Sequence, residues 1–315
     1  MNNPFVSICI PVYNSSSLCK QAIDSALNQK FEDYEIVIVD DASTDDTAQV
    51  IKQYEGRPRV RVYYNETNLG MTGNWNKCLQ LARGKYISFA HHDDTLRDSF
   101  LVDLHQIISE NENLGVIAFL NQSRVRRPIM GLIQSNDYFR YIFSMVNVPA
   151  PTEAVYIKLE SLEYDKNLKY GPEMDIYLKI AKLGFNAFHS DIVNCDRNPS
   201  KWEGSVTSNS RFSFIRFSDC FYIIKKYKDD SLINYNLLKD TVFDISVQVY
   251  QRYARGIAFG VAEVTQLKYK FEDLMNKNNY YGLSNLDRIK LFIKLRFFFA
   301  AKFVTSLGAR VLSRK

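Results

Sequence analysis

Ile36-Val37-Ile38-Val39-Asp40-Asp41-Ala42-Ser43-Thr44-Asp45 is the stretch on which the fold turns. Four β-branched apolar residues run straight into two carboxylates and a turn-forming string, the pattern of a strand buried on both faces. The pattern returns in Tyr86-Ile87-Ser88-Phe89-Ala90-His91-His92-Asp93-Asp94. One Asp-Asp after a strand is ordinarily a turn or a helix cap, and Ser43, Thr44 and Asp45 all suit that role. Two such strand ends with a further polar motif between them, Asn68-Leu69-Gly70, are harder to dismiss.

Working outward, Val6–Val12 reads as a first strand, followed by a helix capped by Ser17 and running to about Asn28. Then come a strand over 35–39, a helix over about 44–54, a strand over 60–64 and a helix over about 72–82. The series continues with a strand over 85–90, a helix over about 97–113 and a strand over 116–120. Strands alternating with helices of this length predict βαβ units and a mainly parallel sheet flanked by helices. Residues 121–170 give little pattern beyond a strand over 154–158. Pro172 opens a helix that should end at Gly184, and from about Phe212 onward the pattern is helical. In an open α/β sheet, ligands bind beyond the carboxyl ends of the strands. Carboxylates delivered there by two strands suit a hydroxylated ligand that brings a hard cation, such as a metal-bound nucleoside diphosphate.

The chain has 315 residues, 46% of them hydrophobic and 24% charged, ordinary for a soluble globular protein with one large or two modest domains. Five cysteines, with no CxxC pair, suggest reduced and buried thiols in a cytosolic setting, not a disulfide framework. The sequence enters its first strand at once, so no signal peptide is expected, and no run is long enough for a membrane span. Of the net charge of +5, residues 283–315 hold +7 (eight Lys or Arg against one Asp), which leaves the remainder at −2. Nucleic-acid binding is not expected, because the positive charge is confined to an aromatic tail.

In this order the motifs resemble family 2 glycosyltransferases of the GT-A fold, inverting enzymes that use nucleotide sugars. The resemblance covers about residues 5–200. It rests on Val6–Asn14, Leu27-Asn28-Gln29, Val39–Asp45, Asn68-Leu69-Gly70, Asn74-Trp75-Asn76, Ala82–Ile87 and His91-His92-Asp93-Asp94. It implies a nucleotide-sugar-binding half over 1–118, an acceptor-binding half over 119–204 and a helical C-terminal region over 205–315. Pro11 and Tyr13 would flank the nucleobase, and Asp41 would accept from a base N–H. Asn76 and His92 would contact the nucleotide sugar, with Arg197 closing near the diphosphate. His91, Asp93 and Asp94 would hold a divalent metal, Mg²⁺ or Mn²⁺, although His91 replaces the first carboxylate of the family's Asp-x-Asp motif. Glu173 falls at the position of the catalytic base, with Asp175 as its alternative. The implied partners are a nucleotide-sugar donor and a glycan or lipid-linked acceptor, in bacterial surface polysaccharide synthesis. A degenerate member that binds a nucleotide sugar or a partner without transfer is the competing reading, and His91 is its support.

Residues 286–312 mix Phe292, Phe297, Phe298, Phe299 and Phe303 with Arg288, Lys290, Lys294, Arg296 and Lys302. That pattern suits a helix lying on an anionic membrane surface, which would put the protein in the cytoplasm, peripheral at the inner face of the cell membrane. A helix packed on the body with snorkelling lysines is the alternative. No Gly-rich basic loop follows the first strand, as a sugar nucleotidyltransferase would require, and no GxGxxG string indicates a dinucleotide enzyme.

Overall fold

A computed structural model describes residues 3–120, 129–145, 148–169, 171–197 and 210–254. The basic tail and Arg124–Arg127 lie outside these residues. The chain divides into two compact units, one of residues 1–142 and 146–201, the other of 143–145 and 202–315.

The first unit is built on an eight-stranded sheet. Its strands are β1 (Val6–Val12), β2 (Tyr34–Asp40), β3 (Val60–Tyr64), β4 (Tyr86–Phe89), β6 (Leu114–Ala118), β7 (Gly131–Ile133), β8 (Ala154–Ile157) and β9 (Asn186–His189), in the spatial order β3-β2-β1-β4-β8-β6-β9-β7. The pairings of β1 with β2 and β4, of β2 with β3 and of β6 with β9 are parallel; β8 runs antiparallel between β4 and β6, and β7 antiparallel on β9. A separate antiparallel ribbon joins β5 (Asp94–Leu96) to β10 (Cys195–Arg197).

Alternation sorts the two faces of β1 and β2. Val6, Ile8, Ile10, Ile36 and Ile38 form one cluster with Ile23 and Ala26 of α1 (Cys19–Leu27) and with Phe100, Leu101 and Leu104 of α4 (Phe100–Glu110). The opposite face carries α3 (Gly70–Leu81), whose Trp75 ring lies 5.4 Å from that of Phe89 on β4. All five cysteines are buried and unbridged.

The expected parallel sheet is present, and several boundaries move for local reasons. Ser17 does not cap α1: Leu18 holds the N-cap position without a side-chain bond, and the Ser15 carbonyl takes the Leu18 and Cys19 amides. The helix expected over 44–54 shrinks to α2 (Thr47–Lys52), because its would-be first turn is tied elsewhere. Ser43 Oγ accepts the Asn14 amide, Asn14 Oδ1 accepts the Thr44 amide, and Asp45 accepts from Ser16 and Thr47. Sequence reading missed β5, β7, β9, β10 and α5 (Ser135–Phe143), all short pieces whose partners lie far along the chain. The helix from Pro172 is present as α6 (Glu173–Lys182). In the second unit, α7 (Ser210–Tyr227) and α8 (Tyr235–Ala254) pack on each other. None of the described helices is long and apolar enough to cross a membrane.

At the amino-terminal end of the sheet, Glu35 accepts from Ser7 Oγ at 2.7 Å, the Arg83 amide at 2.6 Å and Arg61 at 2.9 Å. Gly84 closes this knot, with its amide on Ser7 Oγ at 2.8 Å. A Cβ on Gly84 would stand 2.6 Å from the backbone carbon of Val6. The Arg83-Gly84 pair is therefore architectural. Gly84→Ala should destabilise the fold by about 1–3 kcal/mol through overpacking against a strand that cannot retreat. Urea unfolding checks this, with an unchanged slope and a lowered midpoint as the expected result.

Candidate active site

The chain lays β1, then β2 and β3 to one side, and returns to place β4 on the other side of β1. The gap between β1 and β4 is thus the point where strand order reverses, the usual ligand crevice of an open α/β sheet. Val12 pairs with Asp40, Cys9 pairs with Phe89, and the Ala90 amide donates to the Cys9 carbonyl at 2.9 Å. The carboxyl ends of β2, β1 and β4 therefore sit side by side, with Asp40-Asp41 beyond one neighbour and His91–Asp94 beyond the other.

The two aspartates after β2 have separate tasks. Asp40 accepts from the Ser43 amide and hydroxyl and shapes the turn. Asp41, buried, accepts on Oδ1 from Asn65 Nδ2 at 2.9 Å and from the Leu69 amide at 2.8 Å. Asn65 also donates to Asn74 Oδ1, while Asn74 donates to the Val39 carbonyl. Sequence reading assigned no role to Asn65, and it noted Asn74 only as part of the Asn74-Trp75-Asn76 motif. Pro11 is buried in β1 opposite Val39, and Tyr13 beyond it is 45% exposed at the mouth of the crevice.

Beyond β4, ligand atoms of His91, Asp93 and Asp94 lie within 4.8 Å of one another. Asp94 is buried at the start of β5, and the His91 ring stands 5.3 Å from that of Trp75. Asp93 is half-buried and makes no hydrogen bond or ion pair with any described residue, so its carboxylate is available. Two carboxylates and an imidazole, one carboxylate uncommitted, fit a divalent ion whose remaining ligands are phosphate oxygens. Burial pushes the His92 imidazole below its ordinary value, against the pull of Asp93. The β5–β10 ribbon pairs Arg197 with Asp94, so the Arg197 backbone lies at the same cluster.

The side chain of Asn76 is engaged within the protein. Its Nδ2 donates to the Tyr164 carbonyl at 2.9 Å and its Oδ1 accepts the Tyr164 amide at 2.7 Å. Both ends of the amide are therefore engaged in holding the 160s segment onto α3. From there an aromatic chain crosses the unit. Trp75 contacts Tyr164 at 5.2 Å, the Tyr164 and Tyr156 hydroxyls share a 2.8 Å bond, and Tyr156 contacts Tyr177 of α6 at 6.4 Å. Burial first, then the charge of Glu173, raises the Tyr177 hydroxyl well above its ordinary value, which places Glu173 within electrostatic reach of this chain.

The two acids of α6 differ sharply. Glu173 is half-buried in the first turn, where the helix dipole favours an ionised carboxylate. Asp175 is fully buried and pairs with Lys179 Nζ at 2.8 Å, while Lys179 also donates to the Glu163 carbonyl. Asp175 is thus enclosed and ion-paired, and Glu173 is the more exposed residue of the two.

Residues 7–161 match the family model described as glycosyl transferase family 2. The chain is 28% identical over 245 residues to chondroitin synthase of Escherichia coli, an alignment covering 74% of this chain and 35% of that protein. It is 25% identical over 235 residues to the putative teichuronic acid biosynthesis glycosyltransferase TuaG of Bacillus subtilis, covering 69% and 93%. A similar solved structure is the mannosyltransferase PcManGT from Pyrobaculum calidifontis in complex with GDP-Man and Mn²⁺. It superposes with a TM-score of 0.56 at 16% identity over 94% of this chain and 88% of that one. The chain spans about a third of the length of the chondroitin synthase and most of TuaG. Its mixed sheet is the GT-A arrangement. Residues 7–161, then, form a domain of glycosyl transferase family 2.

Proposed function

We propose that this chain is an inverting glycosyltransferase. It moves a sugar from a nucleoside diphosphate sugar to a hydroxyl of a glycan or lipid-linked acceptor during synthesis of a bacterial surface polysaccharide. The observation that carries the reading is the available carboxylate of Asp93 beside His91 and Asp94 at the strand-order reversal. The GDP-Man and Mn²⁺ of the mannosyltransferase agree with a donor and metal of this kind, and the names of chondroitin synthase and TuaG agree with synthesis of a polysaccharide.

The chemistry then follows from the chain's own groups. Asp41 Oδ2 takes a base N–H, with Tyr13 and Pro11 beside the ring. A divalent ion, Mg²⁺ or Mn²⁺, held by Asp93, Asp94 and His91 would supply positive charge against the departing diphosphate. Glu173 takes the proton of the acceptor hydroxyl as its oxygen attacks the anomeric carbon, and the bond from that carbon to the diphosphate breaks on the opposite face. His92 and Arg197 would contact the donor.

The test is incubation of the purified protein with a panel of nucleotide sugars, with and without Mn²⁺. Metal-dependent release of nucleoside diphosphate, and a product of inverted anomeric configuration by NMR, are expected. Binding of a donor with no release or transfer under any condition would instead identify a non-catalytic nucleotide-sugar binder.

The charge pattern of residues 286–315 supports attachment to the inner face of the cell membrane. Each basic residue near an anionic surface contributes about 1 kcal/mol, weakened as salt rises. The full chain should float with anionic liposomes at low salt, and a chain truncated at Asn285 should not. Flotation of neither form removes the proposal.

A further inference from the structure

A cavity of about 890 Å³ lies between α3 and residues 156–169. Its charged lining is Lys77, Lys158, Lys166 and Lys169 against Glu160 and Glu163. Four ammonium groups against two carboxylates make the cleft net positive, on a chain whose charge outside residues 283–315 totals −2. Lys158 donates to the Ala82 carbonyl and has a structural task. Lys77 and Lys166 make no hydrogen bond or ion pair with any described residue. Uncommitted cations gathered in a concavity repel one another, and they focus a positive field on whatever enters.

The position of the cleft says what should enter. One end is bounded by Leu69 and Gly70, at the amino terminus of α3, where the Leu69 amide also holds Asp41. The helix dipole adds positive character there. One wall is Asn76, whose clasp on Tyr164 ties the cleft to the aromatic chain leading to Glu173. The cleft thus flanks the crevice without containing His91, Asp93, Asp94 or Glu173. Its volume exceeds what a single phosphate or carboxylate requires.

We propose that this cleft holds the acceptor polymer away from the point of transfer, through repeated anionic groups on that polymer. The ligand is a polyanionic glycan-type chain, its charge supplied by uronate carboxylates or by phosphodiesters, and Lys77 and Lys166 are the principal contacts. The inference rests on the glycosyltransferase reading and adds the charge of the acceptor to it.

The test uses the full chain, its Lys77→Glu/Lys166→Glu variant and the milder Lys77→Gln/Lys166→Gln. Binding is measured for an oligoglucuronate, an oligo(ribitol phosphate) and neutral dextran at low and high salt, alongside donor hydrolysis and the melting midpoint. The Glu variant should lose at least about tenfold in affinity for the anionic probe that binds, the Gln variant about threefold, each with a shallower salt dependence. Dextran binding and donor hydrolysis should not change, and the preferred anionic probe identifies the source of the charge. Equal binding by all three proteins, or no binding of either anionic probe by the unaltered chain, overturns the proposal. Absence of donor hydrolysis in the unaltered chain would strike the glycosyltransferase reading instead, and the binding arms would still decide the cleft.

Discussion

Replacing Asp93 with alanine should lower metal-dependent transfer on the order of 10³-fold while the protein stays folded. The reason lies in how little else Asp93 does: no described residue hydrogen-bonds or ion-pairs with its carboxylate, and its one electrostatic effect is on the neighbouring His92, so the fold should lose little when it goes. What is lost is a fixed position for a cation against the developing charge of the leaving diphosphate. Turnover measured across a Mn²⁺ titration should fall and should not recover at saturating metal, and circular dichroism and the melting midpoint should match the unaltered protein. Asp94, buried at the head of the β5–β10 ribbon, should behave differently, with Asp94→Ala losing stability as well as turnover. Near-normal transfer by Asp93→Ala with metal present would remove this cluster from the mechanism.

Glu173→Gln should abolish turnover and leave donor affinity unchanged. The amide preserves shape and hydrogen bonding but cannot accept a proton at neutral pH, so the loss should fall in kcat and not in donor binding. Asp175→Asn supplies the contrast, because Asp175 is enclosed and paired with Lys179. It should lower stability by about 1–3 kcal/mol while the folded fraction retains turnover. Single-turnover transfer and donor titration on both variants separate the two roles. Normal turnover by Glu173→Gln together with a dead but stable Asp175→Asn would exchange the assignments.

The readable parts of the sequence were those in which one residue's environment repeats along an element. Val6–Val12 and Ile36–Val39 are buried on both faces, so nearly every position is apolar, Ser7 being the exception, and the strand declares itself, as does the point where it stops. The crevice was legible for the same reason, since Asp41 and His91–Asp94 stand where two such runs end. The partners that engage each side chain were not legible. Asn76 carries the right chemistry for a sugar contact, but its amide geometry is matched to the Tyr164 backbone, and only the folded return of β8 brings that backbone near. Asp175 and Glu173 are two positions apart on one helix and equally acidic in sequence; rotation about the helix axis buries one and half-exposes the other. The ribbon that brings Arg197 opposite Asp94 joins segments of three residues, too short for periodicity to register.

The placement of β8 has a consequence for how the protein is made. β4 pairs with β1 on one side and with β8 on the other, and β6 also waits for β8. A ribosome adding roughly 5–20 residues per second needs several seconds to pass from the end of β4 to the end of β8. Throughout that interval the apolar edge formed by Ile87 and Phe89 has no strand to cover it, and an uncovered edge of this kind recruits strands from other chains. Overproduction at high temperature should therefore trap this protein as aggregate during synthesis, and slower translation in the cold should raise the soluble yield.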